Sequence, residues 1–367
     1  MQEINTKEEL ILVLEKPVIN EYAFQSLNFF EFETIMRDKE VYGNLFLGCE
    51  LPDSLLHQLY HDNYIFPSMG VPYHIYPHEL YNKESLYEGF EYQNPETYKN
   101  TPDYRIYRHY TDAGREGANI RETLAARLHD HSITDALHKF LAQYDEKKVV
   151  GIMGGHALER GNRIYTDMAA ISKKLTEAGY LMVSGGGPGA MEATHVGAWF
   201  AGYPDEDLHL AIKILSKAPV YSHPLWLSAA FEVFEQFPET RYQSVGVPTW
   251  FYGHEPPNPF ATHIAKYFAN SIREEGLLAI AKGGIIFSRG SAGTMQEIFQ
   301  ELAQNHYETF GAASPMVFYE KEYWSYERPI YPAIELMHLR QDLKNLNIGI
   351  YNTTEEVIRH LVKTFSE

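Results

Sequence analysis

Three glycine-bearing turns, each following a strand-length apolar run and preceding a helical stretch, constrain this chain more than any other feature. Val149-Val150-Gly151-Ile152-Met153 reads as a buried strand and runs into Gly154-Gly155-His156. Tyr180-Leu181-Met182-Val183-Ser184 reads as the next strand and runs into Gly185-Gly186-Gly187-Pro188-Gly189. Gly284 to Phe287 runs, through Ser288, into Arg289-Gly290-Ser291-Ala292-Gly293-Thr294. Helices are expected over 165–178, 190–200 and 295–305, and further strands over 208–214 and 315–319. Repeated β–α alternation of this kind predicts an α/β fold: a Rossmann-like, doubly wound, mostly parallel sheet with helices on both faces. In such a sheet ligands bind where loops leave the carboxyl ends of the strands.

The predicted nucleotide-binding domain spans 147–367, and upstream of it the pattern changes. Up to Pro102 the chain is a series of short aromatic segments broken by Pro52, Pro67, Pro72, Pro77 and Pro95, with strand-length runs such as Asn44-Leu45-Phe46-Leu47. This predicts an additional N-terminal α+β region over 1–118, serving packing, oligomerisation or regulation; it holds no exact repeat and no low-complexity tract. Leu124, Leu128, Ile133, Leu137 and Phe140 recur at helical spacing, so a helix or helix pair is expected to connect the halves over 119–146. Asp103-Tyr104-Arg105-Ile106-Tyr107-Arg108 reads as a half-exposed strand, with a nucleotide-effector site as the other reading. Thr353 and Glu356 have capping-box spacing at the start of the last helix.

Composition narrows the partners. The 367 residues fit two domains or one large one. Lys and Arg number 31 against 49 Asp and Glu, a net charge of −18, which disfavours polymeric nucleic acid and anionic membrane surfaces alike. With 44% apolar residues, 27 Tyr and 20 Phe, the chain can bury a sizeable core and is not expected to be disordered. The single cysteine, Cys49, has no internal disulfide partner, which fits a reducing compartment such as the cytoplasm. No basic segment at Met1–Glu9 leads into an apolar stretch, and no window of about 20 apolar residues exists, so neither a secretory signal nor a membrane span is expected.

A glycine lets the backbone approach a phosphate, and the helix that follows offers unpaired N–H groups and a positive dipole end. Any one such loop is equally well a tight turn without a ligand, but three on one sheet edge point to phosphate or nucleotide binding. The candidate residues are Gly154, Gly155 and His156; Gly185, Gly186, Gly187, Gly189, Met191 and Glu192; and Arg289, Gly290, Ser291, Gly293 and Thr294. Gly185-x-Gly187-x-Gly189 lacks the G-x-G-x-x-G spacing of dinucleotide sites, and no acidic residue ends the next strand. Thr294 either caps its helix or binds phosphate. Glu297, three residues later and expected in the first turn, reads from position alone as its capping-box partner or as a complement to the helix dipole. His156 touches ligand or packs beneath its loop. His129, Asp130, His131 and His138 lie on a polar helix without a zinc-like ligand set and read as solvated or linking groups. Tyr221, His223, Trp226, Trp250, Phe251 and Tyr252 read as core, with base stacking or a subunit interface as the alternative.

Four motifs together resemble a known family. Ser184–Ala193 is similar to the glycine loop of the LONELY GUY (LOG) family, and Arg289–Glu297 is similar to its P-G-G-x-G-T-x-x-E signature. Gly154-Gly155-His156 and Glu255-Pro256-Pro257-Asn258-Pro259 resemble segments of the larger bacterial branch, the nucleotide 5′-monophosphate nucleosidases, and Arg273 falls where that branch has its catalytic arginine. The resemblance covers residues 147–367 and implies hydrolysis of the N-glycosidic bond of a nucleoside 5′-monophosphate, giving free base and ribose 5-phosphate. Glu297 would be the carboxylate beside C1′, and Arg273 would hold the phosphate or orient Glu297. No metal or cofactor is implied, and a homodimer or larger homo-oligomer is. The chain departs from the pattern in three places. Arg289 replaces the motif proline and Ser291 its second glycine, one extra residue follows Arg273, and Gln296 stands where the branch often has a second glutamate. The altered loop leaves a nucleotide-binding or sensing protein without hydrolysis as the alternative. An amine decarboxylase, an old label for this family, would need a lysine for pyridoxal phosphate, and no such motif surrounds Lys213, Lys266 or Lys282.

Overall fold

A computed structural model of the chain describes residues 1–364. The chain divides into two compact units, residues 1–80 with 109–138, and residues 81–108 with 139 onward.

The first unit alternates strands and short helices: β1 (Gln2–Ile4), α1 (Lys7–Leu14), β2 (Val18–Asn20), β3 (Tyr22–Gln25), α2 (Glu33–Arg37), β4 (Glu40–Tyr42), β5 (Leu45–Leu47), α3 (Asp53–Leu59) and β6 (Tyr64–Phe66). All its strand pairs are parallel, in a four-stranded sheet β1-β3-β5-β6 and a two-stranded sheet β2-β4. Parallel neighbours need a crossover, and the helices supply it. The β–α alternation therefore extends into this unit, as a structural repeat without a sequence repeat. Its core stacks Phe24 on Phe46, with Phe29 edge-on to both, beneath Leu10, Leu55 and Leu59. A ladder of buried amides fixes the register. Asn44 is fully buried; its Oδ1 accepts the Tyr22 N–H at 3.0 Å, and its Nδ2 donates to the Ile19 carbonyl at 2.8 Å. One rung on, Asn63 Oδ1 accepts the Asn44 N–H at 3.1 Å.

Two helices, α5 (Pro102–Asp112) and α6 (Ile120–Leu141), carry the chain between the units, and α4 (Lys83–Leu86) precedes them. The strand expected over Asp103–Arg108 is thus a helix, opened by a proline in its first turn. Its buried residues Asp103, Ile106 and Tyr110 recur at helical spacing, which the period-two reading missed. α6 is one continuous helix. His129 and Asp130 on it are buried, not solvated as expected, whereas His131 and His138 are exposed.

The second unit contains β7 (Val149–Met153), α7 (Arg163–Glu177), β8 (Leu181–Ser184), α8 (Ala190–Trp199), α9 (Asp205–Leu215), α10 (Trp226–Gln236), β9 (Ser244–Gly246), β10 (His263–Ile264), α11 (Asn270–Ile280), β11 (Gly284–Phe287), α12 (Ala292–Tyr307), β12 (Pro315–Tyr319), α13 (Ile330–Leu339), β13 (Asn347–Tyr351) and α14 (Thr354–Thr364). Its sheet is parallel, in the order β10-β9-β8-β7-β11-β12-β13. The fold class is the doubly wound α/β one expected, with helices packed on the buried strands through Val150, Ile152, Met168, Met182, Val196, Ile286 and Leu361. Thr353 caps α14, its Oγ1 accepting the Glu356 N–H at 3.4 Å while Glu356 Oε2 accepts the Thr353 N–H at 3.2 Å. The segment 208–214, read as a strand, belongs to α9. Leu208, Ala211, Ile212 and Leu215 bury one helical stripe, and Asp205, Glu206 and Asp207 complement the dipole of its first turn. Among the described residues no helix is long and apolar enough to cross a membrane.

Two buried polar groups give tests of this architecture. Removing the Asn44 amide leaves the Tyr22 N–H buried without its acceptor and takes one donor from the Ile19 carbonyl, so Asn44→Ala is expected to cost about 2–4 kcal/mol in urea unfolding. A loss below about 0.5 kcal/mol would remove the ladder as a stabilising element. Glu301, on α12, is 3% exposed, accepts a bond from Ser314 Oγ, and keeps an unpartnered Oε2. Burial pushes its pKa up to about 7, against hydrogen bonds from Ser314 and Asn305. A carboxyl whose folded pKa is raised stabilises fully below its unfolded value, near 4.5, and that stability is lost as pH rises through about 7. Glu301→Gln removes the ionisation, so its Tm relative to wild type is expected to rise from pH 5 to pH 8; a pH-independent difference would contradict the shift.

Candidate functional site

The strand order reverses between β7 and β11, and in an open α/β sheet that is where a ligand crevice opens. The loops leaving these two strands are stitched together. The Gly155 N–H donates to the Arg289 carbonyl at 2.8 Å, and the Ser288 N–H to the Met153 carbonyl at 2.9 Å. A β-carbon on Gly154 would lie 2.7 Å from Ala190 Cβ and 3.0 Å from Ser288 Cβ, so only glycine fits. The loop after β8 closes on the same point: Gly189, at φ +70°, sits where a β-carbon would fall 2.3 Å from the Gly155 carbonyl oxygen, and the Ala190 N–H donates to that oxygen at 3.3 Å. All three loops singled out in the sequence therefore meet at one edge of the sheet.

The open end of this junction is the start of α12. The helix begins at Ala292, two or three residues earlier than the sequence suggests. Thr294 is consequently inside the first turn, 4% exposed, and Glu297 lies in the second turn, out of reach of a capping box. Ser291 precedes the helix without a side-chain cap, and the first turn carries no acidic residue. The N–H groups of Ala292, Gly293 and Thr294 have no intrahelical acceptor, and Ser291, Ala292 and Gly293 are exposed. The result is an uncompensated positive helix end facing solvent. The buried Ser288 hydroxyl beside it has no partner among the described residues.

Arg273, on α11, is held by its Nε bond to the Val247 carbonyl at 3.1 Å. Its guanidinium lies over Gly185, where a β-carbon would come within 2.8 Å of Nη2 and 2.6 Å of Met191 Sδ. Glu297, half-buried, has its pKa pushed up to about 7 by burial; the positive charge of Arg273 opposes the shift and the negative charge of Glu274 adds to it. The two residues the sequence put forward for chemistry thus sit within electrostatic reach of one another, beside the glycine loops. Gln296 Nε2 donates to Glu274 Oε2 at 2.9 Å, a bond that a second glutamate at 296 would replace with repulsion.

Other candidates occupy supporting positions. Glu192 is fully buried in the fork of Arg160, with Nε–Oε2 at 2.7 Å and Nη2–Oε1 at 2.5 Å, and the Tyr165 hydroxyl donates to it at 2.9 Å. It is a fully buried ion pair whose carboxylate is already engaged by Arg160 and Tyr165. The Arg289 side chain also points elsewhere: Nε donates to Glu320, both Nη groups reach Glu327 at 3.2 Å, and the guanidinium lies 4.6 Å over the Tyr323 ring. His156 is exposed, edge-on to Tyr221, with Nδ1 3.6 Å from Glu255 Oε1. Trp226 and Trp250 are core, whereas Tyr252 is 42% exposed.

Sequence reasoning missed the groups that hold the middle loop in shape. Ser184 Oγ accepts the Gly186 N–H at 3.1 Å and lies 2.8 Å from His195 Nε2, whose Nδ1 is 2.9 Å from Ser244 Oγ. Burial pushes the His195 pKa down to about 3, so a neutral imidazole links the two hydroxyls. Asn258 donates its N–H to the Gly186 carbonyl at 2.9 Å and its Nδ2 to the Gly187 carbonyl at 3.3 Å. Asn258 belongs to the Glu255–Pro259 segment and had that signal; His195, on a helix that reads as apolar, had none. Among the described residues no group of three or more His, Cys, Asp or Glu is placed to hold a metal ion.

No family model matches the chain, and no curated protein matches it. Among solved structures, the molybdenum cofactor binding protein from the phototrophic bacterium Rippkaea orientalis is 12% identical with a TM-score of 0.36, over 60% of this chain and 97% of that one. The molybdenum cofactor carrier protein from Chlamydomonas reinhardtii is likewise 12% identical with a TM-score of 0.36, over 60% of this chain and 98% of that one. Likenesses this distant carry no information about what this chain binds.

Proposed function

We propose that this chain is a hydrolase that cleaves the N-glycosidic bond of a nucleoside 5′-monophosphate to free base and ribose 5-phosphate. The observation that carries the reading is Glu297, a half-buried carboxyl with its pKa pushed up to about 7, within reach of the charge of Arg273 beside an uncapped helix N-terminus. The resemblance of the glycine loops and the Arg289–Glu297 segment to the LOG family, nearest its nucleotide 5′-monophosphate nucleosidases, supports the same reading.

In this mechanism the first-turn N–H groups of α12 receive the 5′-phosphate, as helix N-termini receive anions. Arg273 adds a planar fork of donors for a phosphate oxygen or for Glu297. Cleavage of the C1′–N bond sends its electron pair to the base nitrogen and builds oxocarbenium character at C1′. The Glu297 carboxylate stabilises that charge and takes a proton from the attacking water as the water oxygen bonds C1′. The base nitrogen acquires a proton, so one water is consumed per bond broken.

The carboxylate form is the active one, so kcat/KM is expected to rise with pH through about 7 and level off above it. Incubation with a panel of purine and pyrimidine monophosphates, followed by detection of free base, tests the activity. Glu297→Gln is expected to lower kcat by about 10²–10⁴-fold and to remove the acid limb. Full activity in that variant would refute the role of Glu297. Saturable nucleotide binding without release of base from any monophosphate would favour a binding or sensing protein instead.

A further inference from the structure

The sequence suggests Arg289 as a cation for the phosphate, but its guanidinium is committed to other groups. Nε bonds Glu320, Nη1 and Nη2 each reach one oxygen of Glu327 at 3.2 Å, and the planar group lies on the face of Tyr323 at 4.6 Å. Paired acceptors and a stacked ring use both the fork and the face of an arginine, an arrangement lysine does not reproduce. The same segment grips the loop backbone as well. The Tyr323 hydroxyl donates to the Gly290 carbonyl at 2.8 Å, and the Gly290 N–H points back at that hydroxyl at 3.4 Å. On the other side the Arg289 carbonyl accepts the Gly155 N–H. Glu320 completes the device from the end of β12: a non-glycine residue at φ +75°, a costly conformation held where its carboxylate meets Arg289 and Arg163.

We infer that Arg289 is a positioning residue. Latched to Glu320, Glu327 and Tyr323, it holds the Arg289–Thr294 turn so that the first-turn N–H groups of α12 meet a phosphate, and it does not itself touch that phosphate. This rests on the phosphate reading of the site. The latch supplies the stiffness that a proline at 289 would otherwise give the turn by fixing φ, and its single-turn π-helical segment, Tyr323–Glu327, supplies two of the three partners.

The test uses the full chain and the variants Arg289→Ala, Glu327→Gln and Tyr323→Phe. With a nucleoside monophosphate as substrate, Arg289→Ala and Glu327→Gln are each expected to raise KM at least about tenfold while kcat stays within about threefold, and the double variant is expected to be no worse than Arg289→Ala alone. If Arg289 instead binds the phosphate, freeing it from Glu327 leaves KM unchanged or lowers it, and that result overturns the proposal. Should Arg289→Ala fail to fold, the Glu327 and Tyr323 variants carry the comparison. A second readout separates this idea from the proposed function: inorganic phosphate titrated against the Gly290 and Gly293 amide resonances. If wild-type amides do not move, the phosphate reading fails. The latch is then judged by amide hydrogen exchange over 290–294, where faster exchange confined to that turn in Arg289→Ala and Glu327→Gln upholds it and unchanged rates overturn it.

Discussion

The hydrogen bond from the Gly155 N–H to the Arg289 carbonyl, at the seam between β7 and β11, is the contact on which the rest of the site depends. Diverging strands open a crevice, but a crevice alone does not place backbone donors. Here glycine at 154 lets the two loops touch, and glycine at 189 lets the third loop close on the first. Each close approach excludes a side chain from the floor of the site, so what a ligand meets is mostly backbone. The helix that starts at Ala292 then projects its free N–H groups from a base fixed on two sides.

Rigid neutral groups hold the floor, and charged ones sit at its margins. His195, kept neutral by burial, bridges Ser184 and Ser244 and through Ser184 fixes the Gly186 amide. Asn258 fixes the carbonyls of Gly186 and Gly187 from the opposite direction. Against this frame, Arg273 and Glu297 are the polar side chains to which the proposed function assigns the chemistry. Their mutual attraction limits how far burial can raise the Glu297 pKa, and Glu274 works the other way. A carboxyl near 7 can be ionised at neutral pH and still exchange a proton readily, which is what a group activating water requires.

Much of this was legible in the sequence, and the failures have physical causes. The β–α alternation and the three loops follow from glycine placement and from strand-length apolar runs, which are local signals, whereas the pairing of Arg273 with Glu297 came only from the family resemblance. α9 and α5 were misread because a buried stripe of three or four residues in a short window satisfies both periods; Pro204 and Pro102, each at a helix start, were the cues that decided between them. The start of α12 was misplaced because Gly293 reads as loop, yet glycine is tolerated in a first turn where little holds the backbone. The direction of the Arg289 side chain was not legible at all, since its partners lie 31 and 38 residues downstream and announce nothing until β12 brings them alongside. The first unit's amide ladder was equally silent, because Asn44 and Asn63 look like turn residues until their strands stack.

An excess of acidic residues is compatible with the proposed anion site because the carboxylates near the loops are already engaged. Arg160 neutralises Glu192 in the core, and Arg289 pairs Glu327 and, together with Arg163, Glu320 beside the turn. Glu274 is occupied by the amides of Asn270 and Gln296. Burial holds Glu297 at a pKa of about 7, so a substantial share of it is neutral at that pH. At the open edge this leaves the positive end of α12 and the guanidinium of Arg273, whose charge Glu297 opposes only in part. A net charge of −18 therefore describes the surface of the chain as a whole and disfavours polyanions that must lie along it, whereas the single phosphate of the proposed substrate would meet only the few ångströms around Ala292.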